Sequence, residues 1–189
     1  MNELNHKQNK LLIQLLIGSE SFFFLAMIIG YLYYTVYSPA WENGMLYLNI
    51  FKTAIFSIFL LASSATLVAF EYLIERRKHK TALAFLILTI LFGCIFMIGQ
   101  GLEYYDLFQK EILPSTNIFG SAFFTLTGFH ALHVFIGLIC LILLLSLSIS
   151  KNTFTKIRGA VVPISLYWHF VDVVWIFVFS AVYLLPYLK

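Results

Sequence analysis

The sequence predicts an all-α integral membrane protein, a five-transmembrane-helix bundle, and three observations predict it. Of the 189 residues, 61% are hydrophobic and only 11% are charged, where a soluble globular protein carries about 25% charged residues. Mean hydropathy is +0.89. The apolar residues fall into five runs, at about 11–37, 52–74, 81–104, 118–147 and 161–187. Each is long enough for the roughly 20 residues with which an α-helix crosses a bilayer core. So few charges leave no water-facing domain, and the chain reads as a single membrane domain over 1–189. Transmembrane strands would alternate over about 10 residues, and no run does so. No internal repeat or low-complexity segment is visible.

The first run follows the polar segment Met1 to Lys10 and continues to Tyr37. It is too long for a signal-peptide core and no small-residue cleavage site follows it, so this span is expected to be retained. Ser38-Pro39 ends it. The second run is crowded with small residues, Ala62, Ser63, Ser64, Ala65, Thr66 and Ala69, and stops before the basic stretch Arg76 to Lys80. Glu71 lies within a turn or so of Arg76 and reads as a helix-end charge. The third run closes near Tyr104 and Tyr105, before the turn at Pro114-Ser115. The fourth has Gly120, Ser121, Ala122, Thr127, Gly128, Ala131 and Gly137 along it. Such small residues let helix backbones approach closely in lipid. Lys151 to Gly159 separates it from the fifth. Cys94 and Cys140 both sit inside apolar runs and read as small buried hydrophobes.

Basic residues mark the cytoplasmic side of a membrane protein. Nine of them (Lys7, Lys10, Arg76, Arg77, Lys78, Lys80, Lys151, Lys156 and Arg158) fall on one side, against Lys52, Lys110 and Lys189 on the other. The N-terminus is therefore expected inside and the C-terminus outside. Tyr33, Tyr34, Tyr37, Trp41, Tyr104, Tyr105, Tyr183 and Tyr187 suit an aromatic belt at the outer interface. The net charge of +3 is accounted for by cytoplasmic loops and gives no sign of a nucleic-acid partner.

Ionisable groups deep in a span are expensive, so they face protein or water and often mark function. Five stand out: Glu20, His130, His133, His169 and Asp172. Residues three apart on a helix are surface neighbours, which groups His130 with His133 and His169 with Asp172, and puts Trp168, Asp172 and Trp175 on one stripe. Paired histidines suit a heme or a metal, and a carboxylate beside a histidine suits proton transfer. Against this, three intramembrane histidines with no completing Cys, Met or Asp at a ligand spacing favour structural pairing between helices. The residues alone give a polytopic membrane protein and no reaction.

Two long motifs go further. The segment Phe119-Gly-Ser-Ala-Phe-Phe-Thr-Leu-Thr-Gly-Phe-His-Ala-Leu-His-Val-Phe-Ile-Gly137 and the segment Tyr167-Trp-His-Phe-Val-Asp-Val-Val-Trp-Ile-Phe177 are similar to stretches of subunit III of cytochrome c and quinol oxidases. Ser19-Glu20, Ser63-Ser64, and Gln100 with Glu103-Tyr104-Tyr105 match more weakly in the same order. The resemblance covers roughly 11 to 186 and is to the five-helix bacterial form, which lacks the first two of seven helices.

That resemblance implies a non-catalytic subunit with no metal, cofactor or catalytic residue of its own. Heme and copper are then expected in partner subunits and phospholipids among the helices, in a bacterial plasma membrane. The implied direct partner is subunit I, which reduces oxygen and pumps protons, accompanied by subunit II and a small subunit IV. The chain would steady the proton-uptake side and help subunit I survive turnover. The resemblance also implies that Glu20 contacts His133, bridging the first and fourth spans, and that Asp172 with Trp168, His169 and Trp175 serves packing and lipid or subunit contact. The chain departs from the family at Phe70-Glu71-Tyr72, where paired histidines are frequent, and at Arg158-Gly-Ala-Val-Val-Pro163. Rival readings are an accessory protein of a nitric oxide reductase, a heme-binding membrane cytochrome and, disfavoured by spans unbroken at their middle, a small transporter.

Overall fold

The structure, a computed structural model, describes residues 2–38, 47–115, 117–149 and 154–185, with side chains described from Leu11 in the first helix and from Gly159 in the last. Five helices follow one another: α1 (Asn2–Tyr37), α2 (Ile50–Glu75), α3 (His79–Gln109), α4 (Ile118–Ile149) and α5 (Phe154–Phe179). All five contain a stretch long and apolar enough to cross a membrane, and no strand occurs among the described residues. Several helices outrun the apolar runs: α1 begins at Asn2, α5 begins at Phe154 and α3 continues to Gln109. Hydropathy registers only the segment inside hydrocarbon, while the hydrogen-bond ladder carries on through the interface.

The helix ends have local causes. Asn49 caps α2 by accepting the Lys52 N–H at 3.1 Å, the usual device for an orphan first-turn donor. At the other end Arg77 takes a left-handed conformation, φ 58°. Lys78 N–H then bonds Leu73 O at 3.0 Å and Arg77 N–H bonds Ile74 O at 3.2 Å, a Schellman closure. The same closure ends α3 at Glu111, φ 58°, with Ile112 N–H bonded to Leu107 O at 3.0 Å. Ile112 and Leu107 are both buried, which supplies the apolar contact that accompanies this motif.

Packing centres on α5, the most buried of the spans, whereas α1 is the least buried. α5 lies against α1, α2 and α4, and α2 packs along α3. Two fully buried indoles anchor α5, Trp168 and Trp175. Trp168 lies flat in a gap left by two glycines. A Cβ on Gly137 would stand 2.7 Å from the Trp168 ring, and one on Gly93 would stand 2.9 Å from it. Gly137→Ala is accordingly expected to destabilise the chain by about 1–3 kcal/mol through overpacking. Gly18→Ala, where nothing lies within 4 Å of an added Cβ, should not. Paired thermal unfolding curves in detergent check this.

The last turn of the bundle is a π-helix, Ser180–Leu184. Ser180 Oγ donates to Ile176 O at 2.7 Å, competing for a carbonyl of the ladder. The extra residue in a π turn rotates the residues after it by about 100° relative to a continued α-helix. Tyr183 is buried here, so it does not join the aromatic belt expected of it. Tyr104 is half-buried and bonded to Thr127 (2.9 Å). Tyr33, Tyr34, Tyr37 and Tyr105 are exposed. Trp41, Tyr187, Lys151 and Lys189, and the side chains of Lys7, Lys10, Lys156 and Arg158, lie outside the described residues. Arg76 rests over the Tyr72 ring, 4.5 Å from its centroid. Cys94 and Cys140 are half-buried and unpaired.

Candidate functional site: the intramembrane polar groups

The five ionisable residues singled out by depth do not converge on one centre. Glu20 on α1 and His133 on α4 meet, Oε2 to Nε2, at 3.2 Å. The other ring nitrogen of His133 lies 2.7 Å from Phe129 O. A carbonyl oxygen can only accept, so Nδ1 carries a proton, and a single further proton is shared between Nε2 and Glu20. The His133 side chain is 12% exposed and that of Glu20 32%. The pair therefore lies along the seam between α1 and α4, with the carboxylate towards the outside of the bundle.

His130, one turn away on the same helix, turns into the core instead. It is 1% exposed and stacks on Trp175 at 4.8 Å between ring centroids, with Phe96 and Phe24 edge-on at 6.0 and 6.4 Å. Neither of its nitrogens is hydrogen-bonded. His169 reaches across to α2, where Ser64 Oγ lies 2.5 Å from its Nδ1. Asp172 does not pair with His169, although the two share a helix face. It is buried at 3% exposure, and neither carboxylate oxygen closes a hydrogen bond. Ser64, already engaged with His169, is its polar neighbour. Among the described residues, no three His, Cys, Asp or Glu side chains are grouped so as to hold a metal ion.

Further polar contacts escape a reading by ionisable groups alone. Trp168 Nε1 donates to Ser63 Oγ at 2.9 Å and Trp175 Nε1 donates to Ser57 Oγ at 2.8 Å. Each serine passes its own proton back to α2, to Leu60 O and Thr53 O. Thr66 meets Thr89 of α3 at 2.8 Å. With Ser64, these make one column of hydroxyls on α2 that receives both other core helices. Indole N–H groups in a core need a partner, and small hydroxyl side chains are the polar glue suited to lipid.

At the end of the bundle that holds the α1–α2 and α3–α4 connections, Glu103 is buried and bridges three helices. Its Oε2 accepts from Tyr183 OH at 2.7 Å and its Oε1 lies 3.0 Å from Thr53 Oγ1. One turn outward, Lys52 Nζ lies 2.6 Å from Asp106 Oδ2, with the side chains 32% and 47% exposed. Exposed pairs of this kind contribute little. Lys52→Ala is therefore expected to change the unfolding free energy by no more than about 1 kcal/mol, whereas Glu103→Ala, which strands the buried Tyr183 hydroxyl while Thr53 keeps its bond to Asn49 O, should cost about 2 kcal/mol. Denaturation of both variants side by side checks the order.

These groups therefore join helix to helix: α1 to α4, α2 to α5, and α2, α3 and α5 together. A family model described as cytochrome c oxidase subunit III matches residues 3–187. The chain is 38% identical over 145 residues to cytochrome c oxidase subunit 3 of Corynebacterium diphtheriae, covering 76% of this chain and 70% of that one. It is 36% identical over 175 residues to cytochrome c oxidase subunit 3 of a Synechocystis strain, covering 92% and 74%. With a match over nearly its whole length and five membrane-crossing helices tied by polar contacts, the chain belongs to the cytochrome c oxidase subunit III family, multi-pass membrane subunits of a respiratory oxidase.

Proposed function

We propose that the chain is a non-catalytic subunit III of a bacterial heme–copper terminal oxidase. It supports subunit I, which reduces oxygen and pumps protons, on the proton-uptake side, and preserves it through turnover. Subunit I is its direct partner, with subunit II and a small subunit IV in the complex. Heme and copper belong to those partners, and phospholipids lie among the helices. The names of the relatives favour cytochrome c over quinol as the electron donor of the complex. The chain sits in the plasma membrane with its N-terminus cytoplasmic and its C-terminus outside, as its loop charges favour.

One observation carries this reading. Each intramembrane histidine is committed to a different packing contact: His130 to Trp175, His133 to Glu20 and His169 to Ser64. Side chains spent on holding helices together suit a scaffold whose redox work is done elsewhere. The test is to purify the chain from its native membrane in mild detergent and identify its companions. A large subunit with heme and copper is expected, and a companion holding heme and non-heme iron would replace this reading with a nitric oxide reductase. The chain isolated from that complex should show no Soret band. A band that stayed with it would mean it binds heme.

A further inference from the structure

We infer that the face formed by α2 and α5 is where a transmembrane helix of a neighbouring oxidase subunit docks, bringing a hydroxyl or amide side chain to His169. The inference rests on the reading of the chain as an oxidase subunit and adds which face meets the partner, and through what chemistry.

His169 is half-buried, and its Nδ1 is taken by Ser64. Its Nε2 makes no hydrogen bond among the described residues. Ring nitrogens are obligatory donors or acceptors, and an ionisable group left open to hydrocarbon is costly. Depth narrows what can satisfy it. In the sequence His169 lies eleven residues beyond Arg158, the nearest charge before it, roughly 16 Å at the helical rise. Lipid headgroups begin at about that distance from the bilayer centre, and acyl chains offer neither donor nor acceptor. Glu71 of α2 is the charged neighbour of the ring within this chain, but no ion pair or hydrogen bond closes between them, so the source left is a polar side chain on a helix of another subunit.

The surroundings allow such a helix to come close. Around Ser64 and His169 the outward residues are Leu61, Ala65, Val68 and Val173, all exposed. Ser64 and Ala65 belong to the small-residue run of α2, where backbones can approach closely. The outward face of α4 differs in bulk: Phe135, Ile136, Ile139 and Leu143 are exposed, large side chains where α2 offers Ser64 and Ala65. Of the five deep ionisable groups, Glu20 is also partly open, and it already has its partner in His133.

The test uses the intact complex in native membranes. A benzophenone amino acid placed at Val68 is expected to give a photo-adduct with another oxidase subunit, and the same probe at Ile139 is expected to give adducts with lipid only. His169→Leu keeps an apolar side chain there and removes the hydrogen bond. It should lower recovery of the chain with the purified oxidase by about tenfold, the worth of one interhelical hydrogen bond in lipid. His169→Gln, which can still hydrogen-bond, should restore most of it. Protein adducts from Ile139 and none from Val68, or full recovery of the His169→Leu variant, would overturn the docking face while leaving the proposed function standing. If no oxidase subunit accompanies the wild-type chain at all, the underlying reading fails first.

Discussion

Trp168→Ala is expected to lower the unfolding free energy of the chain by about 3–5 kcal/mol, at the upper end of the range for large aromatic truncations. Three observations place it there. The indole is fully buried. Its N–H is bonded to Ser63. It fills a slot whose walls are Gly93 and Gly137. The cost of a cavity depends on how far its walls can relax into it, and glycines have no side chain to move. Trp168→Phe separates the terms. It keeps most of the volume and loses the hydrogen bond, so it should cost about 1–2 kcal/mol. Equilibrium unfolding in mixed micelles, followed by a label away from α5, gives both numbers. If Trp168→Ala cost no more than Trp168→Phe, the slot would have collapsed and α5 would not be anchored there.

How much of this was legible in the sequence depends on the quantity each signal measures. Hydropathy integrates over twenty residues, so it marks five spans and misses the extension of α3 to Gln109. Face-sharing at a spacing of three is a coarser guide than it looks, because three residues turn a helix by about 300° and leave the side chains about 60° apart. On α4, wedged between α1 and α5, that angle sends His133 to Glu20 and His130 to Trp175. On α5 both residues border Ser64, but His169 takes its hydroxyl at the half-buried edge and Asp172 is left in the core. The Glu20–His133 contact was expected only through the family resemblance, since nothing in the spacing joins residues 113 apart. Of the serines that receive the two indoles, Ser63 is legible only as a small residue in a crowded run and Ser57 not at all, since neither carries a charge that would mark it as a partner. Burial of Glu103 depends on Tyr183, which the π turn delivers, and no propensity marks that turn. A buried Tyr whose hydroxyl has a carboxylate partner could have been sought among the aromatic residues near span ends, but interfacial tyrosines have the same sequence appearance.

Glu20→Ala carries the other large effect, because the imidazole it leaves behind is in hydrocarbon. A buried ion pair gains little over an apolar pair of the same shape, yet removing one partner strands the other. In water a stranded imidazole would be solvated. At the seam of α1 and α4 the pair lies within two apolar spans, so His133 keeps its bond to Phe129 O and loses its one partner at Nε2 among the described residues. The expected loss is about 3 kcal/mol, the lower end for breaking a buried pair, since the Glu20 side chain is 32% exposed. α1 has little else holding it. Its firmly buried side chains, among those described, are Phe24 and Tyr31, so the loss should appear as α1 parting from α4, read by a distance label between the two helices, and as loss of the chain from the purified oxidase. Oxygen reduction by the remaining complex should persist. Glu20→Gln can still bond Nε2 and should recover most of the association, which an effect of charge alone would not allow. A Glu20→Ala oxidase that retained the chain in full and reduced no oxygen would show that this carboxylate takes part in the chemistry, and the supporting role assigned to the chain would be wrong.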